Sequence, residues 1–164
     1  MERDADHSPA RRLALADGLA VHVGGGFHHA FANHGEGFCL FNDVAVAIEV
    51  LRREDAVSRV AVVDLDVHHG NGTQHIFEDD ASVFYFSIHQ YPFYPGTGAA
   101  GERGKGDGDG ATLNIPMTAG NNDDAYIAAF EEQLVPAAED FAPQFILVSA
   151  GFDAHEADPL ASMA

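Results

Sequence analysis

Acidic and imidazole side chains are concentrated in residues 64–74, directly after an apolar run. Asp64, Asp66 and His68 occupy alternate positions there, so in an extended chain they point to the same side. Two carboxylates that face the same way in a water-poor site need a compensating cation to stay ionised. A bound metal ion is the simplest such cation.

Residue 153 offers a third ligand. One carboxylate and one imidazole leave a tetrahedral ion short of protein ligands, and Asp153 follows another predicted strand. Asp66, His68 and Asp153 with one open position fit a catalytic zinc site, because structural zinc sites are closed by four ligands. The single cysteine, Cys39, excludes a multi-cysteine site. The alternative is a strand end capped by hydrogen-bonded side chains, which any of these residues alone would indicate.

His28 and His29 form a second candidate group, directly after a run of glycines and Phe27. Glycine lets the backbone approach a ligand closely, and neutral imidazoles near an activated water can move protons at neutral pH. Each ring needs an acceptor on its far nitrogen, for which Asp64 and Asn71 are candidates. On its own, a pair of histidines in a loop more often indicates a surface position or weak metal binding.

The elements that must hold these residues alternate between short β-rich runs and helical segments, which predicts a parallel α/β sheet. The predicted strands are 19–23, 59–64, 82–88, 112–115 and 145–149. The predicted helices are 9–16, 42 or 43 to about 53, and 122–141, which Pro136 should kink or divide. Residues 89–110 are rich in Gly and Pro and predict a functional loop. Since ligands bind at the carboxyl ends of parallel strands, the polar clusters should converge there.

Composition limits the class of protein. The 164 residues suffice for one domain, and no apolar run approaches the roughly 20 residues of a membrane-spanning helix. Residues 1–9 lack the apolar core of a secretory signal, so a soluble, cytoplasmic protein is predicted. The 26 acidic and 8 basic residues give a net charge of −18, which disfavours direct binding of nucleic acid. That charge fits a merely acidic surface or adaptation to high salt, where screening relieves self-repulsion.

Five stretches strongly resemble the histone deacetylase branch of the arginase-deacetylase superfamily, in order and spacing, from about Leu13 to the end. They are residues 24–30 (GGGFHHA), 37–43 (GFCLFND), 64–74 (DLDVHHGNGTQ), 94–98 (YPGTG) and 149–159, which begins SAGFD. The resemblance implies an open parallel sheet with helices on both faces, incomplete at both ends. It implies one partial catalytic domain over residues 1–164, of a bacterial-type, class II or class IV-like deacetylase.

The resemblance also implies roles for matching residues. The three candidate metal ligands match the family's ligands to one Zn²⁺ per chain. His28 and His29 match a catalytic pair beside the zinc and its water, with Asp64 orienting His28 and Asn71 orienting His29.

Two further groups follow from the resemblance. The wall and rim of an acyl-lysine tunnel match Gly37, Phe38, Tyr94 and Leu160. A buried monovalent cation site, with K⁺ as the expected ion, matches main-chain oxygens of Asp64, Asp66, His68 and Ile88, together with Ser87. Such a cation would also explain how neighbouring carboxylates stay ionised side by side.

The implied activity is zinc-dependent removal of acetyl or other acyl groups from lysine side chains or similar amines. Zinc would polarise the amide carbonyl and lower the pKa of water toward about 7, while the histidine pair handles the protons. The implied partners are acetylated lysine peptides or acetylated amines, and acetylpolyamines stay open as substrates. An acidic surface would attract all of these basic molecules.

One departure from the family pattern lies at position 71, where one branch has aspartate and this chain has Asn71. An amide orients His29 but stabilises its positive charge less well than a carboxylate does. We therefore expect a lower pKa for His29 than for His28.

A second departure concerns the oxyanion. Family members place a tyrosine beyond the last zinc ligand, and losing such a donor typically costs about 10²–10³ in rate. The four tyrosines here all precede Asp153. We expect a piece of a longer enzyme, cut at both ends, with little turnover from these residues alone.

Two other functions stay open at this point. Arginase-type hydrolases share the sheet and use two manganese ions, but they need additional carboxylate ligands. A non-catalytic zinc module that holds acyl ligands is compatible with the missing tyrosine.

Overall fold

The computed structural model describes residues 8–164, whose core is one parallel β-sheet. Its helices are α1 Ser8–Asp17, α2 Asp43–Arg53, α3 Asn71–Phe77, α4 Asp123–Ala129 and α5 Val135–Phe141. Its strands are β1 Val60–Asp64, β2 Val83–Gln90, β3 Thr112–Met117 and β4 Phe145–Ser149, in the order β3-β2-β1-β4. All three strand pairs are parallel, which confirms the predicted α/β class with an open parallel sheet.

Helices cover both faces of the sheet, as predicted. Every residue of β1 and β2 is buried, because alternate side chains enter different apolar clusters. Val60 and Val62 pack with Ile48 and Leu51 of α2 on one face. On the other face, a second cluster joins the sheet to α4 and α5 and includes Ala61, Val63, Phe84, Phe86, Ala129 and Leu134. The uninterrupted β-branched run is therefore explained by burial on both sides.

The strand register brings the carboxyl ends together. Asp64 at the end of β1 pairs with Ser87 of β2 and with Ser149 at the end of β4. Residues that follow β1 and β4 thus emerge side by side, which is what the convergence of the polar clusters requires.

The predicted strand 19–23 is wrong. These residues lie outside the sheet, and the side chains of Leu19, Val21 and Val23 are 79%, 80% and 92% exposed. A β-rich sequence forms a strand only when a neighbour supplies hydrogen bonds and packing. Within residues 8–164, no strand pairs with this segment.

The predicted helix 122–141 is divided, as Pro136 indicated. Helices α4 and α5 are separated by a π-helical turn, Phe130–Leu134, and Pro136 lies in the first turn of α5. Proline has no N–H to donate to the carbonyl one turn earlier. The π-helical turn lies where this backbone hydrogen bond is missing and replaces the regular α-helical pattern there.

Sequence patterns missed α3, a seven-residue helix that begins at the candidate residue Asn71. None of the helices within residues 8–164 is long and apolar enough to cross a bilayer. The cytoplasmic location and the single partial domain stay predictions.

Candidate active site

The three predicted metal ligands meet at the carboxyl edge of the sheet. Nδ1 of His68 lies 2.8 Å from Asp153 Oδ2 and 3.0 Å from Asp66 Oδ1. One donor atom from each residue lies within 4.8 Å of the others, and each side chain is about one-fifth exposed. The cluster is therefore compact, yet open to solvent.

Backbone hydrogen bonds hold the carboxylates in place. Asp66 Oδ1 accepts from its near neighbour, the His68 N–H, at 2.9 Å. Asp153 Oδ1 accepts from the Val67 N–H at 2.9 Å, which ties the segment after β4 to the segment after β1. Gly151 permits this approach, because a Cβ there would lie 2.3 Å from Asp66 Oδ2.

The charges of the cluster suit a divalent cation. Hydrogen bonds to Asp153 and Asp66 raise the pKa of His68 to about 9. Burial alone would raise the pKa of Asp66, but its contacts with His68 and His28 lower it to about 2. One imidazole nitrogen and two carboxylate oxygens are ligands that zinc takes, and a metal would replace the proton they share. The residues present therefore fit the predicted zinc site.

The two predicted catalytic histidines are buried next to this cluster. Their rings are 4.2 Å apart between centroids. His28 Nδ1 donates to Asp64 Oδ2 at 2.7 Å, and His29 Nδ1 lies 2.8 Å from Asn71 Oδ1. Nε2 of His28 lies 3.8 Å from Asp66 Oδ1, so its free nitrogen faces the metal ligands. Each histidine thus has its own partner on Nδ1, Asp64 or Asn71, and the orienting and catalytic roles stay predictions.

The two histidines differ in electrostatics. Burial alone would lower the pKa of His28, but the charge and hydrogen bond of Asp64 outweigh it and raise that pKa above its ordinary value. Burial and the nearby His28 lower the pKa of His29, since the Asn71 amide compensates only in part. These directions agree with the prediction that the pKa of His29 is lower than that of His28.

The histidine loop is anchored by the start of α2. Asp43 accepts from the Phe27 N–H at 2.7 Å and from the Gly26 N–H at 3.0 Å. Asn42 caps α2 by accepting from the Ala45 N–H at 2.9 Å, while its Nδ2 donates to Ala30 O at 3.1 Å. Asn42 and Asp43 therefore fix both the start of α2 and the loop that carries His28 and His29.

Asp64 has a further partner that sequence reasoning missed. The hydroxyl of Tyr85 donates to Asp64 Oδ2 at 3.0 Å, and both residues are fully buried. Burial and the Asp64 charge raise the pKa of Tyr85 well above its ordinary value, so it stays a donor. One indication of this contact was present in the sequence: Tyr85 lies on β2 two residues before Ser87, which pairs with Asp64.

Of the predicted tunnel residues, Gly37 and Tyr94 lie against His29, and the side chains of the other two are exposed. Gly37 and Phe38 have φ angles of 53° and 64°, and a Cβ on Gly37 would lie 2.4 Å from His29 Cδ2. The Tyr94 ring packs edge-on against His29 at 5.2 Å. The side chains of Phe38, Tyr94 and Leu160 are 106%, 47% and 69% exposed. The tunnel, and Leu160 as its rim, stay predictions.

The predicted monovalent cation site lies deeper in the sheet. Asp64, Ser87 and Ile88 are completely buried, whereas Asp66 and His68 lie at the surface of the edge. Ser87 Oγ lies 2.9 Å from His89 Nδ1. The assignment of K⁺ to the main-chain oxygens stays a prediction.

Sequence reasoning also missed a buried histidine pair that supports the Tyr94 loop. His69 Nδ1 lies 2.8 Å from Thr97 Oγ1, and His89 Nε2 donates to Gly98 O at 3.0 Å. Burial lowers the pKa of both rings to about 4, so they are neutral. Glu102 accepts from the Gly98 N–H at 3.1 Å. The signal was a histidine after each of the predicted strands 59–64 and 82–88.

Comparison with known proteins agrees with this geometry. Residues 9–164 match the family described as histone deacetylase domain. The chain is 48% identical to the chloroplastic histone deacetylase 14 of Arabidopsis thaliana, over 83% of this chain and 32% of that protein. It is 44% identical to a probable deacetylase of Archaeoglobus fulgidus, over 84% of this chain and 38% of that protein.

A solved structure gives the same result. The crystal structure of the HDA15 HD domain superposes with a TM-score of 0.85 at 41% identity, covering 94% of this chain and 47% of that one. The chain therefore spans about a third of the length of these curated relatives and about half of the solved domain. Because the match extends over nearly the whole chain, this protein belongs to the histone deacetylase family.

Proposed function

We propose that this chain carries the metal centre and proton-transfer pair of a zinc-dependent amidohydrolase that removes acetyl groups from lysine side chains or similar amines. One observation supports this most strongly. A cluster of Asp66, His68 and Asp153 lies beside two buried histidines, each with its own partner on Nδ1. The names of the relatives, which are deacetylases, agree with the proposal.

Asp66, His68 and Asp153 would hold the zinc ion. Bound there, zinc would supply Lewis acidity toward an amide carbonyl and a nucleophilic water. The open side of the cluster faces the histidine pair, because His28 Nε2 is 3.8 Å from Asp66. A monovalent cation such as K⁺ below the edge would balance the charge of Asp64.

His28 and His29 have different roles in proton transfer. His29 has the lowered pKa and is neutral at pH 7, so it can accept a proton from the attacking water. His28 has the raised pKa and can carry a proton to the leaving amine, while Asp64 balances its charge. The products would be acetate and a free amine.

The substrate is an acylated amine on a basic molecule. The net charge of −18 favours approach of cationic peptides and polyamines. Exposed Phe38 and Tyr94 beside His29 offer apolar surface for the methylene groups of an acyl-lysine. Acetyl-lysine peptides and acetylpolyamines both meet these requirements.

Zinc binding tests the proposal first. Calorimetric titration should show one zinc per chain, and His68→Ala should weaken affinity by more than the 10–100-fold typical when a residue behind a metal ligand is changed. His75→Ala is the matched control, since His75 is an exposed histidine of α3 whose Nδ1 lies 3.1 Å from Glu78 Oε1 and which is not one of the three ligands. Equal zinc affinity in the two variants would contradict the assignment.

Turnover separates an enzyme from a binding module. With zinc loaded, an acetyl-lysine fluorogenic peptide should be hydrolysed, however slowly, and chelation should stop the reaction. Tight binding of a hydroxamate without any turnover would instead favour the non-catalytic zinc module.

A further inference from the structure

Glu36 has no role in the site described so far, yet it lies at the end of a hydrogen-bonded chain that begins at His29. His29 Nδ1 contacts Asn71 Oδ1 at 2.8 Å, and Asn71 Nδ2 donates to Glu36 Oε1 at 2.7 Å. The three residues come from separate places in the sequence and meet only in the fold.

The Glu36 carboxylate determines the orientation of the Asn71 side-chain amide. An amide has an oxygen acceptor at one end and an NH₂ donor at the other, and either end could face a histidine nitrogen. If the amide were reversed, its oxygen would face a Glu36 oxygen at hydrogen-bonding distance, and an ionised carboxylate has no proton to offer. Glu36 therefore excludes the reversed orientation.

The orientation of the amide in turn decides the tautomer of His29. With the amide oxygen facing Nδ1, that nitrogen must carry the proton, and the lone pair is left on Nε2. A reversed amide would donate to Nδ1 and leave the proton on Nε2. Only the first tautomer can accept a proton at Nε2.

We infer that Glu36 is a positioning residue that fixes the Nδ1-protonated tautomer of His29 through Asn71. The inference rests on the proposed function for its purpose, since proton acceptance by His29 needs that tautomer. Its structural content does not depend on zinc.

The backbone around Glu36 fits this role. The Glu36 N–H donates to Cys39 O at 3.1 Å and the Cys39 N–H donates to Glu36 O at 2.8 Å, which closes a tight turn. The side chain is one-third exposed, so water reaches the carboxylate. Partial burial and then the charge of this carboxylate raise the pKa of Tyr94. Glu36 thus contacts Asn71 and also acts through its charge on Tyr94, whose ring packs against His29.

The test measures the tautomer directly. Nitrogen chemical shifts of ¹⁵N-histidine in the full, metal-free chain at pH 8 should show His29 with its proton on Nδ1. In Glu36→Gln, the new amide can donate as well as accept, so both orientations of Asn71 become possible. The ratio of the two tautomers should fall at least about fivefold, the factor for one net hydrogen bond.

A second substitution provides rescue. In the Glu36→Gln, Asn71→Asp double variant, the new carboxylate at position 71 can only accept from His29, and the glutamine amide can donate to that carboxylate. The Nδ1-protonated form should therefore return. Glu49→Gln, on the exposed side of α2, is the matched control and should leave the tautomer unchanged.

Two results would overturn the inference: an Nε2-protonated His29 in the unmodified chain, or an unchanged tautomer in Glu36→Gln. The first needs no variant to fold. A failure to bind zinc would count against the proposed function alone, because the tautomer is measured without metal.

Discussion

The two sides of the candidate site are built differently. The side that carries His28 and His29 is buried beneath α2 and α3 and is held by hydrogen bonds that Asp43 accepts and Asn42 donates. The side that carries Asp153 follows β4, which is an edge strand of the described sheet.

Exposure shows the contrast most clearly. On β4, the side chains of Ile146 and Val148 are 55% and 53% exposed, and Phe152 just beyond is 86% exposed. Apolar burial supplies most of the stability of a domain, at about 25 cal/mol per Å². The histidine side therefore gains its rigidity from the core, whereas β4, which precedes Asp153, packs on the core through only one face, with Phe145 and Leu147.

The largest test of this contrast uses the same substitution in two strands. Ile88→Ala in β2 removes a completely buried side chain from the apolar cluster beneath the site and should cost about 2–5 kcal/mol of unfolding free energy. Ile146→Ala in β4 removes a half-exposed side chain and should cost less than about 1 kcal/mol. Urea unfolding followed by circular dichroism would measure both. Equal losses would mean that the two sides are stabilised alike.

A second test concerns close packing on the histidine side. A Cβ at Gly72 of α3 would lie 2.3 Å from Ala30 O and 2.6 Å from His29 C, both backbone atoms. Gly72→Ala should therefore cost about 1–3 kcal/mol, because neither the helix nor the loop can move freely. Gly101→Ala is the control, since a Cβ there meets nothing within 4 Å. A Gly72→Ala protein as stable as Gly101→Ala would show that the loop yields easily.

The sequence predicted the part of the molecule that the core determines. Residues 59–64 and 82–88 read as buried strands because they are continuous apolar runs, and the structure places β1 and β2 there. Polar residues at the ends of such strands must meet, so Asp66, His68 and Asp153 could be grouped before any contact was known.

What the sequence could not show depends on neighbours distant along the chain. Residues 19–23 have strand-like composition, but whether they pair depends on a partner strand. Helix α3 contains Gly72 and Thr73, which disfavour helix, and it is held by burial rather than by propensity. Glu36 reads as one solvated charge among many, and its contact with Asn71 spans 35 residues of sequence.

A third test compares how easily the backbone moves on the Asp153 side and on the histidine side of the site. A Cβ at Gly151 would press against Asp66, at 2.3 Å from Oδ2 and 2.6 Å from Cα. Because the segment after β4 lies at an exposed edge, Gly151→Ala should shift it at a cost below about 1 kcal/mol. The displaced ligands should still weaken zinc binding by about 10-fold or more, as a misplaced ligand shell does. Calorimetry and urea unfolding on the same variant would show both effects, and a loss of stability larger than that of Gly72→Ala would contradict the comparison.

The smallest expected effect is a difference between the pKa values of the two histidines on the buried side of the site. In an NMR titration of the metal-free chain, His28 should titrate at a higher pH than His29, because a carboxylate faces one ring and an amide faces the other. Asp64→Asn removes that charge and should lower the pKa of His28, while Asp123→Asn on exposed α4 should leave both unchanged. Lowering the pH through the raised pKa of His28 adds a proton that only the folded chain stabilises, so the stability it contributes is lost as pH rises through that value. An opposite titration order would mean that Asn71, with Glu36 behind it, stabilises a charged imidazole better than Asp64 does.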